Sequence, residues 1–312
     1  MFLMKLLKLN LIPSFRTMFR NVGFHTKGDT TQLETIVMAF ATYESKKRPS
    51  SDAALPLIIV HGLFGSKRNW NSISKVLNAK TVPQRKVIAV DCRNHGNSPH
   101  TNEHSYPHLA EDIKILVEKL NIEKAALLGY STGGRVVMYF ALKYPKFVEK
   151  LIVVETSPVS SSPAYILTPI IFTALKQVEL PNNSMPLASA RRDCDRQLAS
   201  SIGNKDTRAF LLTNLTQGPS GNYIWSMNLK AIADNFSKNI LAFPKTRGFT
   251  FDCPVLFISG ETSNYIPEED IPKILKKFPK AEFAIIKESG HWVHIDKPVE
   301  FLKICSDFLS KK

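Results

Sequence analysis

The sequence predicts an α/β fold, a doubly wound and mostly parallel sheet with a helical cap inserted over one edge. Three observations carry this. Short continuous apolar runs alternate with amphipathic stretches over most of the chain, the pattern of parallel strands covered on both faces. Several runs end in turns bearing glycine or histidine, at the edge where a doubly wound sheet binds its ligands. One long segment, 160–247, breaks the alternation and reads as polar and helical.

The 312 residues suffice for one large α/β domain or two small ones. A hydrophobic content of 44% and a mean hydropathy of −0.10 describe a globular protein with a substantial core. No run of 18 uninterrupted apolar residues occurs, so no transmembrane helix is expected. The net charge is +14; residues 1–28 carry Lys5, Lys8, Arg16, Arg20 and Lys27 without a carboxylate, and removing them leaves +9. That basic, amphipathic, acid-free segment reads as a mitochondrial presequence, so a mitochondrial location is expected. The remainder has no RNA-binding motif and no dense Lys/Arg block, which speaks against a nucleic-acid partner. Cys92, Cys194, Cys253 and Cys305 are far apart and form no C-x-x-C, the usage of reduced, mostly buried thiols. The expected organisation is a presequence (1–28), a core (29–159 and 248–312) and a cap (160–247).

Thr35 to Tyr43 reads as an early strand. Leu55–Val60 is a buried strand ending in His61-Gly62-Leu63-Phe64-Gly65-Ser66. Asn69 to Leu77 follows as a helix with Trp70, Ile73, Val76 and Leu77 on one face. Lys86–Asp91 is the next strand, running into Cys92-Arg93-Asn94-His95-Gly96-Asn97-Ser98-Pro99, a loop of turn formers. His95, His100, His104 and His108 invite a metal reading, but Pro99 and Pro107 interrupt their spacing, and a structural role in the loop is expected. Leu109 to Leu120 is an amphipathic helix and Ala125–Leu128 a short strand. Val148–Glu155 is a strand ending in a carboxylate. After the cap come a strand at Pro254–Gly260, a helix at Ile271–Phe278, a last strand at Ala281–Ile286 and a closing helix at Val299–Leu309.

The strand at Ala125–Leu128 enters Gly129-Tyr130-Ser131-Thr132-Gly133-Gly134-Arg135, and a helix follows. Gly-x-Ser-x-Gly between strand and helix is the spacing of a nucleophile elbow. Small residues two before and two after Ser131 let strand and helix approach, which exposes the hydroxyl beside the first N–H groups of the helix. The Leu63 and Thr132 N–H groups are expected to form an oxyanion hole. A serine needs a base, and in this architecture the partners follow in the order serine, acid, histidine. Only His291 and His294 lie after Ser131. His291, behind Gly290 and just past the last strand, is the expected base, and His294 a packing residue. The acid must end a strand near the imidazole. Three residues after Gly260, where an aspartate would be expected, stands Ser263. Glu155 is favoured over the loop carboxylate Glu261.

From about residue 35 to its end the chain resembles the α/β-hydrolase superfamily. More narrowly it is similar to the branch holding bacterial short-chain acyl esterases, mitochondrial abhydrolases and yeast ethanol acetyltransferases. The residues that carry the resemblance are His61–Ser66 with Asn69-Trp70, Asp91–His100, and Gly290-His291-Trp292-Val293-His294. In that branch the acid ends the strand after the elbow helix, in a pattern like V-D-x-S/A-P-V. Val154-Glu155-Thr156-Ser157-Pro158-Val159 matches it with glutamate for aspartate, so one added methylene has to be absorbed. The resemblance implies serine-dependent acyl transfer through an acyl-enzyme, with acetyl-CoA and ethanol giving ethyl acetate, and thioesterase and esterase side reactions. A mitochondrial short-chain carboxylesterase is the near alternative, and a non-catalytic binding module of the same fold the distant one. No metal and no organic cofactor are expected. The expected partners are small molecules: an acyl-CoA or short ester, and a short alcohol.

Overall fold

The apolar runs pair into one seven-stranded sheet. The structure, a computed structural model, describes residues 33–44 and 54–311. The expected presequence, 1–28, lies outside the described residues. In chain order the strands and first helices are β1 (Phe40–Tyr43), β2 (Ala54–Val60), α1 (Asn71–Lys80), β3 (Arg85–Val90), α2 (Tyr106–Lys119), β4 (Ala125–Tyr130), α3 (Thr132–Lys143) and β5 (Val148–Val154). The insertion holds α4 (Thr168–Gln177), α5 (Leu187–Leu198), α6 (Lys205–Leu212), β6 (Leu215–Gln217), β7 (Tyr223–Trp225) and α7 (Leu229–Asn235). The chain then returns to the sheet with β8 (Val255–Gly260), α8 (Ile271–Lys277), β9 (Ala281–Ile286), α9 (Val293–Asp296) and α10 (Pro298–Ser310). The strand order is β1-β3-β2-β4-β5-β8-β9. Every pairing is parallel except β1 with β3.

Alternate residues of the central strands face opposite sides, as the two-residue period of a strand requires. Ile58, Val60, Ile88, Val90, Leu127, Leu151 and Val153 pack with α2 and α3 on one face. Leu57, Ile59, Val87, Ala89, Leu128, Ile152 and Val154 pack with Trp70, Leu77, Phe301 and Phe308 on the other. Both faces are covered, which is why these strands carry no polar alternation.

Two expectations need correction. The early strand is short: only Phe40–Tyr43 pairs, because side chains take the donors before it. The Ile36 N–H donates to Asp112 Oδ1 at 2.9 Å and the Ala39 N–H to Ser98 Oγ at 2.8 Å. The cap is not wholly helical either. β6 and β7 form an antiparallel hairpin whose turn passes through Gly221 at φ +82°. Among the described residues no helix is long and apolar enough to cross a membrane.

The loop after β3 is anchored by buried charge. Arg93 grips Asp112 of α2 through two bonds, Nε to Oδ2 at 2.6 Å and Nη2 to Oδ1 at 2.7 Å, with neither side chain exposed. Asp91, at the end of β3, accepts from the backbone N–H groups of Lys67 (2.7 Å) and Asn97 (2.8 Å) and pairs with the Lys67 ammonium. Gly96 lies so close that a Cβ there would sit 2.3 Å from the Asp91 carboxylate, and its φ is +57°, so no other residue fits.

Candidate active site

β4 delivers Ser131 to the turn with φ +52° and ψ −120°, a conformation that costs an L-residue about 1–3 kcal/mol. The neighbouring glycines make the turn possible. A Cβ on Gly129 would lie 2.3 Å from the Gly133 carbonyl oxygen, and one on Gly133 would lie 2.3 Å from the carbonyl oxygens of Val60 and His61. The Ser131 N–H is fixed by the Val154 carbonyl at 2.8 Å. The hydroxyl makes no hydrogen bond among the described residues.

Glu155 lies one residue past β5, fully buried and with φ +57°. Its Oε2 accepts from His291 Nδ1 at 2.9 Å and from the Ser263 hydroxyl, and its Oε1 accepts from the Gly260 N–H. A carboxylate only accepts, so the imidazole proton sits on Nδ1 and Nε2 keeps its lone pair. The other two donors to the carboxylate come from Gly260, the last residue of β8, and from Ser263 in the loop after it. Ser263 therefore stands where a carboxylate was expected and serves the carboxylate at 155. Glu261 is exposed, and its Oε2 accepts from the Glu288 N–H at 3.0 Å, away from His291.

Aromatic rings hold the imidazole. Tyr265 stacks on His291 with ring centres 3.8 Å apart and planes 16° apart. The Tyr130 hydroxyl donates to the His291 carbonyl at 3.1 Å. Tyr165, just before α4, meets Tyr265 edge-on at 5.8 Å, so the insertion reaches the imidazole through one ring. His294 is buried between Trp70, stacked at 4.7 Å, and Tyr130. No Ser131–His291 hydrogen bond forms in this conformation, a link that often tightens only when substrate is bound.

The loop after β2 completes the edge. His61 Nδ1–H donates to the Gly62 carbonyl at 2.7 Å and Nε2 accepts the Cys92 N–H at 3.0 Å. Phe64, at φ +61°, turns the chain behind Leu63. Leu63 and Thr132 line one small cavity together, and among the described residues no acceptor takes the N–H of either. These two amides, at the start of α3 and in the facing loop, can receive an anionic oxygen.

Arg135, on α3 one turn past Ser131, is buried. It donates to the carbonyls of Ser157 (3.0 Å), Ser160 (2.6 Å) and Leu241 (2.8 Å). Asp270 accepts from the Ser157 and Ser160 hydroxyls at 2.5 Å each. Sequence reasoning missed Arg135, Asp270, Tyr265 and the Ser263 donor. Only Tyr265 and Ser263 had a signal, their place in the loop where an acid was sought.

Burial lowers the pKa of His61 and His95, and pushes those of His104 and His294 down to about 3. His95 packs between the rings of His61 and His104, and no metal-ligand group of three His, Cys, Asp or Glu forms among the described residues. The unfolded chain protonates these rings near pH 6.5 and the folded chain does not, so their stabilisation is complete above pH 6.5 and falls as pH drops below it. His104→Gln should remove about 1.4 kcal/mol per pH unit from the acid-side slope. Denaturant titrations at pH 7.0 and 5.5 measure this; an unchanged slope would show that His104 protonates in the folded state.

A family profile described as the alpha/beta hydrolase fold matches residues 56–298, and the chain belongs to that family. Among relatives, the "sn-1-specific diacylglycerol lipase ABHD11" of Danio rerio is 41% identical over 81% of this chain and 78% of its own length. The "Probable alcohol acetyltransferase" of Saccharomyces cerevisiae is 34% identical over 86% and 79%. Of solved structures, a "Marine microorganism esterase" superposes with a TM-score of 0.79 at 33% identity, over 88% of this chain and all of that one.

Proposed function

We propose that the protein is a serine-dependent acyl-transfer enzyme with Ser131 as nucleophile, His291 as general base and Glu155 as the acid. The observation that carries this is the Glu155–His291 hydrogen bond, which leaves the Nε2 lone pair free at the edge where Ser131 is held on its strained turn. His291 Nε2 takes the Ser131 proton as Oγ attacks an ester or thioester carbonyl. The Leu63 and Thr132 N–H groups hold the oxyanion, and the leaving alcohol or thiol departs with the proton from His291. Water or an alcohol, activated by the same imidazole, then frees the acyl group.

Hydrolysis of carboxylic esters is the first reading, in keeping with the lipase and esterase named above. Acetyl transfer from acetyl-CoA to ethanol is the second, favoured by the yeast relative. The acid-free segment 1–28 supports a mitochondrial location. A fluorophosphonate probe tests the core of this reading. It should label the native protein at Ser131 and leave Ser131→Ala unlabelled; labelling of both equally, or of neither, would overturn it. With acetyl-CoA and ethanol supplied, the ratio of ethyl acetate to free acetate separates the two readings.

A further inference from the structure

A groove of about 240 Å³ runs between the β6–β7 hairpin of the cap and two loops of the core. Its walls include Ser66 and Arg68 on one side, His100 on another, and Gln217, Trp225 and Ser226 from the hairpin. Among the described residues, no acidic one lines it. The neighbouring Lys67 is neutralised by Asp91, but the Arg68 guanidinium has no partner among the described residues. The groove thus offers a planar cationic fork, an imidazole, hydroxyl and amide groups and one indole face. That set matches a phosphate oxyanion beside a flat or apolar body.

The groove is preformed and close to the chemistry. Asn214, at the start of the hairpin, donates to the Phe64 carbonyl at 2.8 Å, one residue past Leu63. At the other end the Asn228 N–H donates to the Asn94 carbonyl at 2.9 Å, and its Nδ2 to the Thr101 carbonyl at 3.1 Å. Both flanks of the hairpin are therefore tied to the core loops that form the opposite wall. Ser66 is three residues from Leu63, so the groove's near edge lies within about 11 Å of that residue's Cα, at 3.8 Å per step. An acyl donor with its carbonyl at Ser131 could reach the groove with its remaining length.

We propose that this groove, with Arg68 and Trp225, binds the phosphate-bearing end of the acyl donor. The proposal deepens the acyl-transfer reading and rests on it for the donor's identity. The same chemistry has two sources, the nucleotide of a coenzyme A thioester and the headgroup of a phosphorylated glyceride.

Calorimetric titration with coenzyme A and with glycerol 3-phosphate, neither carrying an acyl group, tests it on the native chain and on Arg68→Gln, an exposed position. Affinity for one of them should fall about tenfold or more in the variant, the loss of a charge-assisted contact. Dependence on Arg68 for coenzyme A assigns the nucleotide source, and for glycerol 3-phosphate the headgroup source. Equal binding of both ligands by the two proteins, or no binding by either protein, overturns the site. Failure of Ser131 to take a fluorophosphonate, with Arg68-dependent binding intact, would instead sink the acyl-transfer reading and leave the groove standing.

Discussion

Glu155→Gln should lower kcat toward a p-nitrophenyl ester by about 10³–10⁴-fold with little change in KM. The carboxylate at 155 receives three donors, from His291, Gly260 and Ser263. An amide cannot accept all three. With its oxygen held by the Gly260 N–H, its NH₂ faces the imidazole and drives the proton to Nε2, where it would block the proposed proton transfer from Ser131. Glu261→Gln, at an exposed carboxylate bonded to the Glu288 backbone, should stay within about twofold of native. A larger loss at 261 than at 155 would reverse the assignment of the acid. Thermal unfolding of both variants separates a chemical loss from a folding one.

Arg93→Met should destabilise the fold by about 3–5 kcal/mol, because it strands the buried Asp112 carboxylate. In the native chain two bonds from the guanidinium and one from the Ile36 N–H serve that carboxylate. Even so, burial raises its pKa above the usual value. Without Arg93 the folded-state pKa rises further above the unfolded one, so the deficit is full at neutral pH and shrinks as acid protonates Asp112. Arg93→Met combined with Asp112→Leu should recover most of the loss, since no orphan charge remains. Denaturant unfolding of the single and double variants at pH 8 and pH 5 measures both effects. An equal deficit in the two variants would mean that packing, not charge, is what Arg93 supplies.

The middle of the sheet was legible because its strands are buried on both faces and so read as unbroken apolar runs: β2 and β3 fall within a residue of their predicted bounds, and the half-exposed edge strand Ala281–Ile286 matches its own. The elbow was legible because Gly129 and Gly133 are steric requirements visible as residue types. β1 was overdrawn because the competing acceptors, Asp112 and Ser98, are 76 and 59 residues away in sequence. The β6–β7 hairpin was missed because strands of three residues are too short to show a period. At the site, chain order left His291 and His294, and the place of His291 just past the last strand chose between them, whereas the left-handed backbone at Glu155 is announced by no residue type. The Tyr265 stack on His291 joins residues 26 apart and leaves no trace in local pattern.

The guanidinium of Arg135 gathers carbonyls from Ser157 and Ser160, where the chain leaves the sheet for the cap, and from Leu241, where it comes back. The stem of the excursion is therefore stapled to the helix that begins beside Ser131, so that both ends of the insertion are held at one place on the core, and beyond the staple it bears on the site through Tyr165 against Tyr265 and Asn214 against the Phe64 carbonyl. Evolution, or an engineer, could rework the rest of the region between 161 and 240 and so retune what enters, provided Tyr165, Asn214 and Asn228 keep their contacts with the core.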